Sequence, residues 1–176
     1  MKREIYLHTV FYISFFVFIT IFQKYFDVSY WVFWIGGLFG TILPDIDHLL
    51  YLYLKPQELT TQRAQFYWDR NEIKRIFTLL YETRGERRGL IFHSVLFQLI
   101  FLVLTFWIVT SSGSLFGKGM VLAFSLHLLI DQIADIVELR SFDNWTKGIN
   151  YQFDLQKAKL YWLGVLILVL ILGLFF

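Results

Sequence analysis

Polar and apolar positions along this chain do not alternate; they fall into blocks. Residues 5–22, 28–46, 90–109, 115–137 and 160–176 are almost wholly apolar, and each approaches the roughly 20 residues a helix needs to cross a bilayer core. The last block is an uninterrupted Leu/Ile/Val/Phe run, whereas the second carries Pro44 near its end, where a helix must break or restart. The pattern predicts an all-α fold: a polytopic membrane helix bundle with about five transmembrane helices, forming a single integral membrane domain over residues 1–176. Strands fit poorly, because the blocks lack alternation and an odd set of five does not close an ordinary membrane barrel. Residues 55–89 form a cytoplasmic loop in this scheme. Within it Phe66, Ile73, Phe77 and Leu80 recur at helical spacing among Arg70, Lys74 and Arg75. That spacing predicts a basic amphipathic helix on the inner leaflet or, with equal weight, a small cap packed on the bundle. Farther on, Phe142, Trp145, Tyr151 and Phe153 read as interfacial aromatics.

Composition sharpens this picture. The chain is 57% hydrophobic and 17% charged, with 20 Phe and no Cys, against about half apolar and a quarter charged in soluble domains. A disulfide scaffold and a thiolate metal site are excluded. The net charge of +2 gives no argument for a nucleic-acid partner. Its placement is informative. With five spans, the N-terminus, the 55–89 loop and the 140–159 loop share one side, and they hold every Lys and Arg except Lys24 and Lys118. The positive-inside rule then puts the N-terminus in the cytoplasm and the C-terminus outside an inner membrane. The first block has a basic start but no small-residue cleavage pattern after Phe22, so it reads as a retained anchor. The sequon Asn144-Trp145-Thr146 falls on the cytoplasmic side and carries no glycosylation argument.

Ionisable groups inside a span are costly and call for a reason. The candidates are His8, Asp45, Asp47, His48, His93, His127, Asp131 and Asp135, which include every histidine of the chain. On this topology His8 and His93 lie about one turn from the cytoplasmic ends of their spans, and Asp131 sits roughly 9 Å above the inner end of its own. Four spans thus bring His or Asp to one half of the bilayer. His127 and Asp131 are four apart and share a helix face. Pro44 can open a new short helix, which puts Asp45 and His48 on one face and Asp47 roughly opposite. Imidazoles and carboxylates without thiols suit Zn, with Mn or Fe as alternatives, and as many as seven donors leave room for two ions. Each residue also has a plainer explanation. His8 is a common kind of helix-pairing residue, Asp135 can solvate a helix exit, and His127 with Asp131 can form a proton relay.

At these residues the chain resembles the YdjM-like family of membrane-bound predicted metal-dependent hydrolases. The shared features are an early His (His8), Gly-x-x-Leu-Pro-Asp-x-Asp-His (residues 40–48), an Arg-rich stretch ending in His93-Ser94, and His127-x-x-x-Asp131. The likeness in these motifs covers roughly residues 5–135 and leaves out the fourth loop and last span. Many relatives carry a further His where Arg88 stands, which removes one ligand and substitutes a guanidinium suited to phosphate. The resemblance implies a hydrolase of the inner leaflet in which His8, Asp45, Asp47, His48, His93, His127 and Asp131 hold the metal. Asp47 or Asp131 would then serve as general base or orient a ligand. The resemblance names no substrate; a site at head-group depth beside a basic surface, with Arg87 and Arg88 placed to hold an anionic phosphate, favours an amphiphilic phosphoester or ester. The alternative is a non-enzymatic membrane protein, either a proton-relay transporter subunit or a metal-binding scaffold; self-association into a homo-oligomer is compatible with both. Other membrane enzymes lack their residues here. The Arg that a lipid-phosphate phosphatase pattern needs six positions before His127 is Val121, and no nucleophile elbow or phosphate-binding Gly loop occurs.

Overall fold

The computed structural model describes residues 2–87, 89–147, 149 and 153–174, and for residues 2–4 the backbone alone. Regular structure among them is helical: α1 (Lys2–Phe22), α2 (Trp31–Ile42), α3 (Ile46–Leu54), α4 (Leu59–Asp69), α5 (Ile73–Glu82), α6 (Val95–Ser111), α7 (Leu115–Ala134) and α8 (Leu155–Leu174). Short 3-10 turns lie at Val28–Tyr30, Leu43–Asp45 and Arg84–Glu86, and α7 runs into a π turn at Asp135–Leu139.

Three of these runs are long and apolar enough to cross a membrane: Ile5–Phe22, Leu115–Leu139 and Leu155–Leu174. The other two apolar blocks form shorter helices. The 17 residues of α6 rise about 26 Å, against a hydrocarbon core of about 30 Å. It begins at Val95 because the preceding five residues are drawn into an irregular segment, and Ser94 caps it by accepting the Phe97 N–H at 3.3 Å. His93 accordingly sits before the third helix and not a turn inside it. The second block departs most. Its helix α2 has 12 residues, about 18 Å, and stops at the 3-10 turn that contains Pro44 before α3 restarts.

Helix α7 is the axis of the molecule. Every residue from Val121 to Gln132 is buried, as expected of a helix apolar on all sides and enclosed by others, and α1, α2, α6 and α8 surround it. Its contact with α2 is backbone to backbone. A β-carbon on Gly36 would overlap the carbonyl of Phe116, one on Gly40 that of Met120, and one on Gly119 that of Phe33. Small residues at four-residue spacing allow this approach in membranes. The outward faces are apolar in turn, with Val103 70%, Trp107 66% and Leu160 66% exposed, which is the surface a bilayer covers.

The polar loop forms a hairpin of two helices, where the spacing left open one amphipathic helix or a small packed cap. The chain turns at Asn71 with φ +55°, a left-handed conformation that Asn tolerates. Ile76, Leu79 and Leu80 of α5 pack with Ala64, Leu52 and Tyr67, whereas Phe66, Ile73 and Phe77 remain exposed. The expected stripe is therefore divided between two faces. The interfacial reading of the fourth loop is also corrected: Phe142 and Trp145 are 2% and 1% exposed in the core, and Phe153 packs on Phe142 and Tyr161. Tyr151 lies outside the described residues.

Candidate metal centre

The break at Pro44 sets the first part of the site. Asp45 ends the 3-10 turn and His48 follows in the first turn of α3, and both line one cavity. Asp47 points the other way and clamps the segment before α6. Its carboxylate accepts the backbone N–H groups of Ile91, Phe92 and His93 at 3.0, 2.6 and 3.2 Å, and it lies 3.1 Å from His93 Nδ1. Three backbone donors on one carboxylate make a rigid anchor. They fix the His93 ring so that Nε2 sits 2.9 Å from Asp131 Oδ2. Trp145 meets His93 edge-on with ring centres 5.5 Å apart, and His48 stacks on it at 5.1 Å.

Helix α7 supplies the centre. Asp131 is 2% exposed and receives groups from four other positions. Oδ1 lies 3.0 Å from Arg84 Nη2 and 3.4 Å from His8 Nε2; Oδ2 lies 2.9 Å from His93 Nε2 and 3.2 Å from His127 Nε2. Asp45 Oδ1 is 3.6 Å from the same His127 nitrogen. The His8 and His127 rings are 4.3 Å apart. His127 Nε2 thus stands near two carboxylates, yet among the described residues neither of its ring nitrogens makes a hydrogen bond. His8, His127 and Asp131 each offer a ligand atom, all within 4.8 Å of one another. Tetrahedral zinc with nitrogen and oxygen ligands places its donors about 3.4 Å apart; His8 lies 3.4 Å from one Asp131 oxygen and His127 3.2 Å from the other, so small side-chain shifts bring the three donors to that spacing. Two imidazoles and a carboxylate are a donor set for Zn, Fe or Mn. The residues fit one ion.

The expected seven ligands divide accordingly. His8, His127 and Asp131 converge, with Asp45 at the rim. Asp47 and His93 stand behind these: the Asp47 carboxylate accepts three backbone N–H groups, and the His93 ring lies between Asp47 and Asp131. His48 lines the cavity with its Nδ1 making no hydrogen bond among the described residues. Of the two arginines expected to meet an anion, Arg87 lines the cavity and donates to Thr83 Oγ1 at 3.1 Å; Arg88 lies outside the described residues.

Two contributors were not anticipated. Arg84 bridges Asp131 and Asp135, with Nε 3.2 Å from Asp135 Oδ1, and its only signal in the sequence was membership of an Arg-rich stretch. Trp145 donates its indole N–H to Asp135 Oδ2 at 2.8 Å. Trp145→Phe is expected to keep the ring but leave a buried acceptor unsatisfied, lowering stability by about 1–3 kcal/mol. Thermal unfolding in detergent, compared with wild type, measures this.

His8, Asp45, His48, Arg84, Arg87, His127 and Asp131 line a cavity of about 680 Å³ walled by α1, α2, α3, α5 and α7. A family model described as YdjM inner membrane protein matches residues 7–175, so the likeness runs past the motifs through the fourth loop and α8. No curated protein and no solved structure matches the chain.

Proposed function

The chain belongs to the YdjM inner membrane protein family, and from that premise we propose that it is a metal-dependent hydrolase acting at the cytoplasmic leaflet on an ester or phosphoester of an amphiphilic substrate. The observation that carries the reading is the convergence of His8, His127 and Asp131 from two helices onto one point at the wall of a large cavity. The cytoplasmic placement rests on the basic residues, which gather at the N-terminus and in the loops that border the site.

His8, His127 and Asp131 would hold one divalent cation, with Zn the best match and Mn or Fe next. Such a cation supplies Lewis-acid polarisation of the scissile group and acidifies water toward neutrality. The remaining roles belong to the protein. Asp45 is the carboxylate left open to the cavity, its side chain 59% exposed, and it takes the role of proton acceptor in place of Asp47 and Asp131. Asp47 and His93 hold Asp131 in its rotamer. Arg84 and Arg87 face the same space and give an anionic head group two guanidinium partners. A second reading, a proton relay, draws on the hydrogen-bonded line Asp47–His93–Asp131; it predicts proton flux without any metal.

Purified protein in detergent is expected to carry about one equivalent of metal and to release nitrophenol from a long-chain nitrophenyl ester or phosphoester only when loaded. His127→Ala is expected to lose both the metal and the turnover, the latter by roughly 100-fold or more. Wild-type protein that binds no Zn, Mn or Fe on reconstitution would sink the hydrolase, and metal-free proton flux in liposomes would favour the relay.

A further inference from the structure

The cavity has two unlike ends. Near the metal centre it is walled by Asp45, His48, Arg84, Arg87, His127 and Asp131. Away from it the walls are Ile5 and Ile13 of α1, Leu38 and Ile42 of α2, and Leu49 and Phe77 beyond them. These six are themselves 47–61% exposed. The cavity therefore shares its wall with the outer, lipid-covered surface of the bundle.

The hydroxyl groups on that wall do not make it polar. Thr9 donates to the Ile5 carbonyl at 2.7 Å, Thr41 to the Gly37 carbonyl at 2.9 Å and Tyr12 to the Trp34 carbonyl at 2.6 Å. Each donor is spent on backbone, so methyl groups, methylenes and ring faces line the groove. Deeper in the membrane the gap closes. Tyr12, Phe16 and Trp34 interlock with ring centres 4.5, 5.5 and 5.9 Å apart. From His8 to Tyr12 is one helical turn, about 6 Å, so a longer chain reaching past the metal centre must leave sideways, between α1 and α2, into the hydrocarbon.

We propose that this groove is a lateral portal through which a membrane lipid bearing an anionic phosphate head group enters, its head at Arg84, Arg87 and the metal centre and its tail over Ile13, Leu38 and Ile42. The inference rests on the hydrolase reading for the fate of the head group but not for the binding. Burial of each tail methylene against these walls favours the seated lipid, and two guanidinium groups select a phosphate over an uncharged head.

The test uses the full chain in detergent and a lysophosphatidic acid with a diazirine at the end of its acyl chain. Light-induced labelling is expected to concentrate on Ile13, Leu38 and Ile42. Dodecyl phosphate should abolish most of it, and butyl phosphate or dodecanol at the same concentration should not. Leu38→Trp, which fills the groove, should remove the labelling, and the wild-type map stands even where that variant misfolds. Labelling spread evenly over Val103, Trp107 and Leu160 without competition would overturn the portal. Equal competition by butyl phosphate would mean a soluble phosphate with no tail, and equal competition by dodecanol would mean no anionic head; either overturns the proposal. Competed labelling at the groove without turnover supports the portal and sinks the hydrolase alone.

Discussion

Asp131→Ala protein is expected to purify without bound metal and to be about 3–5 kcal/mol less stable than wild type, the cost of removing one partner from a buried charge cluster. The carboxylate meets Arg84, His8, His93 and His127 within 3.4 Å, so its loss takes from Arg84 and His93 the carboxylate they share in a low-dielectric space, leaving Asp135 beside the first and Asp47 beside the second. Elemental analysis and denaturant unfolding in the same detergent read the two effects separately. His93→Ala provides the contrast. It removes a support but no ligand, so metal is expected to bind still, with affinity reduced roughly 10–100-fold. If Asp131→Ala retained metal at the wild-type level, the centre would lie elsewhere. If His93→Ala lost metal as completely as Asp131→Ala, His93 would be a ligand after all.

Gly40→Val is expected to yield little or no folded monomer. A β-carbon there runs into the Met120 carbonyl, and a backbone group in a packed helix cannot step aside as a side chain can. Gly40→Ala is expected to fold at a cost near the upper end of the 1–3 kcal/mol typical of overpacking, or about 3 kcal/mol. It should also weaken metal binding, because the α2–α7 contact sets where the Asp45–His48 turn stands relative to His127 and Asp131. Gly164→Ala is the control: nothing lies within 4 Å of its added carbon, and alanine is the better helix former by about 1 kcal/mol. Size-exclusion profiles and unfolding midpoints of the three variants check this, and a normal Gly40→Val protein would refute the role given to the glycines.

Much of this was legible in the sequence because the signals were local. Four apart on a helix, His127 and Asp131 had to share a face; beside Pro44, Asp45 and His48 had to part from Asp47. The depth argument brought His8, His93 and the Pro44 turn to the same level of the bundle as α7, and the structure joins them there. Less could be read where the outcome depends on what a group touches across the fold. Asp47 reads as a ligand by type, yet three backbone N–H groups of a distant segment claim it. Trp145 reads as an interfacial ring, yet its N–H finds Asp135 in the core. Hydropathy blocks gave the helices but not their lengths, because the late start of α6 is set by that clamp and the early stop of α2 by Pro44. The hairpin of α4 and α5 escaped for a similar reason, since a single left-handed residue at Asn71 redirects the chain without altering its apolar spacing.

The burial of α7 bears on how the protein can be made. This helix carries His127, Asp131 and Gln132 and runs on to Asp135, a load that hydrocarbon alone would resist, since one Asp at the middle of a span costs about 2.5–3.5 kcal/mol on insertion. Translation delivers α1, the Pro44 turn and Arg84 first, so the nascent α7 emerges beside partners already waiting for it. A reordered gene that encoded α7 ahead of them would ask the insertion machinery to accept a segment before anything existed to receive it.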